Sequence, residues 1–143
     1  DNNVIDEELV ENQKLALDIP YDQVRLVTGA QRIGGAIFNI NIDNTHPLGY
    51  GYRNKHPMFR RGYTFFKLSE SAAANVGRYT SKPLLSGYVS EEKLAGIKDT
   101  ASIIAKKQGR GHVIMFADNP AFRAFWFGTN GLLMNAVFFG HIF

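Results

Sequence analysis

The chain contains no cysteine. That removes thiol nucleophiles, thiolate metal ligands and disulfides in one step. The absence fits a reducing compartment and equally an exported bacterial protein built without disulfides, so it does not fix the compartment. Long apolar runs are missing as well. No stretch reaches the roughly 18 uninterrupted apolar residues that a membrane-spanning helix needs. The opening DNNVIDEELVENQ is acidic and has no apolar h-region, so no signal peptide is read in it.

What is present is ordinary for one globular domain: 143 residues, 45% hydrophobic and 20% charged. Such a length buries roughly two-thirds of the unfolded surface, enough for a core. The 11 Phe, 6 Tyr and one Trp are a generous aromatic supply, most of it after Leu48. The net charge of +3 hides an asymmetry, because residues 1–27 carry seven acidic side chains against two basic. The remainder is therefore strongly basic. A basic body can bind anions or nucleic acid. The plainer reading, preferred here, is a solvated surface facing an acidic arm or another domain.

Along the chain, DEELVENQKLAL (6–17) has the spacing of a short amphipathic helix, ended by Pro20. Residues 18–31 read as a connection. GGAIFNINID then alternates, with Ala36, Phe38, Ile40 and Ile42 on one face and a mostly polar set on the other, which predicts a half-buried strand. HPLGYGYRNKHP suits an ordered loop. YTFFKL (63–68) is a second strand candidate. RYTSKPLLSGYVSEEKLAGIKDTA predicts a turn, a brief strand and a helical turn, with Ser90 as N-cap and Glu91 and Glu92 favoured by the helix dipole. A strand over 101–105 and a turn at QGRG lead to HVIMFA. This last strand is apolar on both faces and is expected inside a covered sheet. Asp118 or Asn119 is expected to cap and Pro120 to open the aromatic segment Phe122–Phe139, interrupted by Gly128 and Gly131.

The search for chemistry returns little. His46, His56, His112 and His141 stand in HPLG, HPMF, HVIM and a terminal HIF, without a helical HExxH or an HxxE pair. His46 and His56 each precede proline and read as structural loop residues. Ser86 in LLSGYVS has no nucleophile-elbow context and reads as a turn residue. GAQRIGG precedes a strand, the reverse of the strand–loop–helix order of a phosphate loop. Arg53, Lys55, Arg60 and Arg61, interleaved with Tyr50, Tyr52, Phe59 and Tyr63, form the best nucleic-acid candidate. No RNA- or DNA-binding motif supports it, and snorkelling cations over packed aromatics explain it as well. Arg123 among Phe122, Phe125, Trp126 and Phe127 has the surroundings of a carboxylate ligand, or of a structural partner for Asp118. The structural role is preferred.

THPLGYGY, RYTSKPLLSGYVSEEKL, GRGHVIMFADNPAFRAFWFGTN and LLMNAVFFG together resemble the C-terminal region of large bacterial zinc carboxypeptidases. There a flavodoxin-like domain, similar to class I glutamine amidotransferases, follows the peptidase domain. The similarity covers roughly residues 29–140. It implies an α/β chain in two parts: residues 1–28 as an acidic connecting segment, and residues 29–143 as the C-terminal portion of a flavodoxin-like three-layer domain. It also implies an exported bacterial protein. The zinc of the parent enzyme, its ligands and its catalytic glutamate would lie outside these residues, and no cofactor is expected within them. The expected function is that of a non-catalytic accessory domain, packing against the rest of its parent chain or against a second copy. The alternative is a peptide- or carbohydrate-binding module using Tyr50, Tyr52, Arg123 and Trp126, on loops 44–63 and 118–130 at strand ends.

Overall fold

The alternating segment forms as its pattern requires. β1 runs Ala36–Ile42, with Ala36, Phe38, Ile40 and Ile42 all buried. Residues 19–24, 33–62 and 65–143 are described by the computed structural model. The expected helix at 6–17 and the first two residues of the expected strand at 63–68 lie outside them. The chain divides into two compact units, residues 1–32 and 33–143. Of the first, a helical turn follows Pro20, whose carbonyl accepts from the Gln23 and Val24 amides at 2.8 and 3.2 Å.

In the second unit β2 (Lys55–Arg60), β3 (Gly77–Gly87), β4 (Ala101–Gln108) and β5 (Gly111–Phe116) join β1 in one sheet, ordered β2-β1-β3-β4-β5. All four pairings are antiparallel. The α/β class therefore holds in the sense of mixed helix and strand. A flavodoxin-like sheet would be parallel, with helical crossovers. β3 pairs with β1 across two register shifts and with β4 only at its first two residues, so the sheet bends along β3.

β2 occupies a segment expected as loop. Its Pro57 lacks an amide hydrogen, which an edge strand tolerates because one side has no ladder to feed. Of the expected strand at 63–68, the described residues contribute only an isolated bridge, Phe66 to Ala101. HVIMF is not buried on both faces. It is β5, an edge of the described sheet with no strand beyond it, and Val113 is exposed. The doubly covered strand is its neighbour: residues 101–105 of β4 are all buried, Ile103 and Ala105 in the main core, Ala101 and Ile104 in a second cluster. The QGRG turn forms as a two-residue hairpin, Gln108 opposite Gly111. Gly109 alone among the two loop residues has positive φ, at 59°, the type II′ pattern that matches sheet twist.

α1 (Glu91–Ile97) starts after Ser90 as expected, and its Ile97 enters the core. The aromatic segment does not start a helix at Pro120. The Asn119 side chain accepts from the Ala121 amide at 3.0 Å, but two short 3-10 turns follow, at Phe122–Ala124 and Phe127–Thr129. Helix begins only with α2 (Asn130–Phe139). Arg123, at φ 50°, breaks the run.

Candidate functional site: an open cleft beside α2

On β2, His56, Met58 and Arg60 share one face, opposite Ile40, Phe38 and Ala36 of β1. Arg60 is thereby buried in the core. Its Nη1 donates to Asp118 Oδ1 at 2.9 Å and to the Tyr79 hydroxyl at 2.6 Å. Tyr79 donates in turn to Asp118 Oδ2, which also accepts from Ser102 at 3.4 Å. Burial raises the Asp118 carboxyl, opposed by the Arg60 charge, and pushes the Tyr79 phenol far above its usual range. A permanently charged guanidinium in a core requires a counter-charge, and Asp118 is that group. This corrects the expected Arg123–Asp118 pairing. Arg123 is exposed, its guanidinium 5.3 Å from the Phe122 ring centre. The cluster ties β2, β3 and β4 to the loop after β5, and we read it as structural.

His56, at the outer end of that face, borders an open cleft of about 550 Å3 lined by Tyr50, Gly51, Tyr52, Arg53, Lys55, His56, Gly128 and Gly131. Two polar clasps shape it. The Tyr52 hydroxyl accepts from the Leu132 amide at 3.1 Å, taking over a capping task at α2 that the Thr129 side chain leaves undone. Thr129 instead donates to the Pro120 carbonyl at 2.5 Å. Asn135, one turn further along α2, donates to the Leu48 and Tyr50 carbonyls at 2.9 and 2.8 Å. Loop 47–52 is thus held against α2 at two points along the helix. Gly131 permits the approach: a β-carbon there would stand 2.7 Å from the Tyr52 hydroxyl.

His56 is half-buried, and burial lowers its imidazole below the ordinary range. The Gly128 backbone beside it opposes that shift without forming an aligned hydrogen bond to Nε2. Its Nε2 is buried without a hydrogen-bond partner, and so are Trp126 Nε1 and Asn130 Oδ1. Arg53 and Lys55 at the rim are exposed, and among the described residues no acidic side chain lines the cleft.

Of the sequence candidates, Tyr50 and Tyr52 both line this cleft. Arg123 and Trp126 do not line it. Trp126 packs 6.0 Å from the Phe59 ring, in an aromatic group with Phe122 and Phe125. The expected basic patch is divided, since Arg60 leaves the surface while Arg53 and Lys55 stay at the cleft. His56, Gly128 and Gly131 were not singled out as site residues by sequence. The two glycines were visible as interruptions of an aromatic run, but nothing in the sequence joins them to His56. Two of the remaining histidines, His46 and His112, meet on one ring, that of Phe143. His46 also accepts from the Leu48 amide through Nδ1, and His141 is exposed. Among the described residues no three His, Cys, Asp or Glu side chains gather as a group that could hold a metal ion. No described helix is long and apolar enough to cross a membrane.

No family model matches the chain, and neither a curated protein nor a solved structure does.

Proposed function

We propose that this chain acts as a non-catalytic accessory domain that docks through the outer face of α2. The observation that carries the reading is the composition of that face. α2 has no charged residue along Asn130–Phe139, and it exposes Met134, Val137 and Phe138, continued by Ile142. Residues at i, i+3 and i+4 form one helical stripe, and an uncharged apolar stripe in water is favourable to cover. At about 25 cal/mol per Å2 of apolar surface removed from water, even a few hundred Å2 contributes several kcal/mol to docking.

The partner proposed is the rest of a bacterial zinc carboxypeptidase, exported from the cell, with this domain stabilising or positioning the peptidase. That part of the proposal rests on the resemblance of the segments around GRGHVIMFADNPAFRAFW. The antiparallel pairs weigh against these five strands being the parallel core of a flavodoxin-like domain. They favour an attached layer over the centre of such a fold. The product of the complete reading frame provides the test. Expected are zinc-dependent removal of C-terminal residues from peptides, and a shorter thermal half-life on Phe138→Lys with turnover per folded molecule unchanged. A product without that activity contradicts the parentage. An unaltered half-life contradicts the docking face.

A second reading, a ligand-binding module, is favoured by a separate observation. The cleft beside α2 is large enough for a small ligand and carries Tyr50, an exposed aromatic ring, at its edge.

A further inference from the structure

Buried polar atoms in folded chains almost always find partners, because leaving one unpaired costs roughly 1–3 kcal/mol. Among the described residues one such atom, His56 Nε2, belongs to a residue that lines the cleft. Arg53 and Lys55, both exposed, line the same cleft, and among the described residues no carboxylate lines it to neutralise them. The start of α2 is not what attracts charge here, because its Leu132 amide is already given to Tyr52.

We propose that the cleft binds a small oxyanion, a carboxylate or a phosphate ester, carried on an aromatic or apolar body. Arg53 and Lys55 supply the counter-charge, with a directional advantage for a planar carboxylate or phosphate edge at the Arg53 guanidinium. Tyr50 supplies a ring face for the body of the ligand. Burial lowers the His56 imidazole and so favours its neutral, hydrogen-bonding form in the wall of the cleft. This proposal rests on the ligand-binding reading and gives it a chemical class.

The test is titration of the full chain with benzoate, phenyl phosphate, inorganic phosphate and, as the neutral counterpart, benzyl alcohol, followed by amide NMR. The expected result is saturable shifts at residues 50–56, Gly128 and Gly131 with benzoate or phenyl phosphate. The Arg53→Gln/Lys55→Gln double variant should weaken that binding at least about tenfold, a loss of roughly 1.4 kcal/mol. Lys107→Gln/Arg110→Gln, which removes the same charge from the hairpin tip, should leave it unchanged. The difference between benzoate and phenyl phosphate identifies the preferred source of the anion, and saturation by inorganic phosphate alone would show that the charged group suffices. Benzyl alcohol binding as tightly as benzoate overturns the anion proposal and leaves the cleft a binding site. Absence of saturable shifts with any probe up to about 10 mM, roughly the weakest affinity of a specific small-ligand site, overturns both.

Discussion

Arg60 shows how one residue can reverse the reading of its surroundings. In a run of cations it looks solvated, yet it is among the largest fully buried side chains. Removing one member of a buried charge pair strands the other, which costs about 3–5 kcal/mol, whereas replacing both with apolar groups of similar volume is often neutral. Arg60→Met and Asp118→Leu are each expected to lose about that much in urea unfolding, with the double variant recovering most of it. Additive losses would contradict the pairing. His56 gives a pH signature. Its folded imidazole takes up a proton only below the 6.5 of the free side chain, so the unfolded chain binds the proton first. Stability from this group is therefore full above pH 6.5 and falls as the pH drops below it, levelling off once the folded form is also protonated. His46 shifts in the same direction, also through burial. A shallower fall for His56→Gln than for the parent, in melts between pH 7 and 5, is the expected outcome. Identical slopes would show that burial of His56 does not govern the response. Arg123, in the left-handed region, carries backbone strain of about 1–2 kcal/mol that glycine does not. Arg123→Gly is accordingly expected to raise the unfolding midpoint slightly, reduced by loss of its contact with Phe122.

Among the elements, α2 has the most divided role. Its inner side buries Leu132 completely while its outer side stays open. Leu132→Ala is expected to cost about 2–5 kcal/mol. Tyr52→Phe, which removes only the hydroxyl that caps the helix, should cost about 1 kcal/mol, and both can be read from denaturant midpoints. A Tyr52→Phe protein as stable as the parent would mean that water replaces the cap. The legibility of the elements from sequence follows from how local their signals are. β1 was readable because its alternation is complete within seven residues, and the β4–β5 turn because Gly109 sits where its geometry demands. β2 was not, because proline and histidine dominate its first half and nothing local says that it lies at an edge. HVIMF was ranked as the interior strand because hydrophobicity reports affinity for a core but not which neighbours arrive. Asp118, which pairs with Arg60, and Gly128, which lies beside His56, are 58 and 72 residues further along the chain, beyond any local pattern. The cleft was therefore visible in part, through Tyr50, Tyr52, Arg53 and Lys55.

At the scale of the whole molecule, the described basic side chains are spread over β2, β3, α1, β4 and the loops, at Lys55, Arg78, Lys82, Lys93, Lys106, Lys107, Arg110 and Arg123 among others, whereas α2 is uncharged. Like charges keep two basic surfaces apart, so an uncharged apolar helix face is where contact with another protein surface costs least. The accessory-domain proposal depends on that contact. In the isolated chain, where the proposed partner is missing, the same face is available to a second copy. Sedimentation velocity over a concentration series tests this most directly. The account predicts concentration-dependent association of the chain, abolished by Val137→Lys/Phe138→Lys without loss of cooperative melting. A monodisperse monomer at all concentrations, with a sharp melt unaffected by those substitutions, would contradict it.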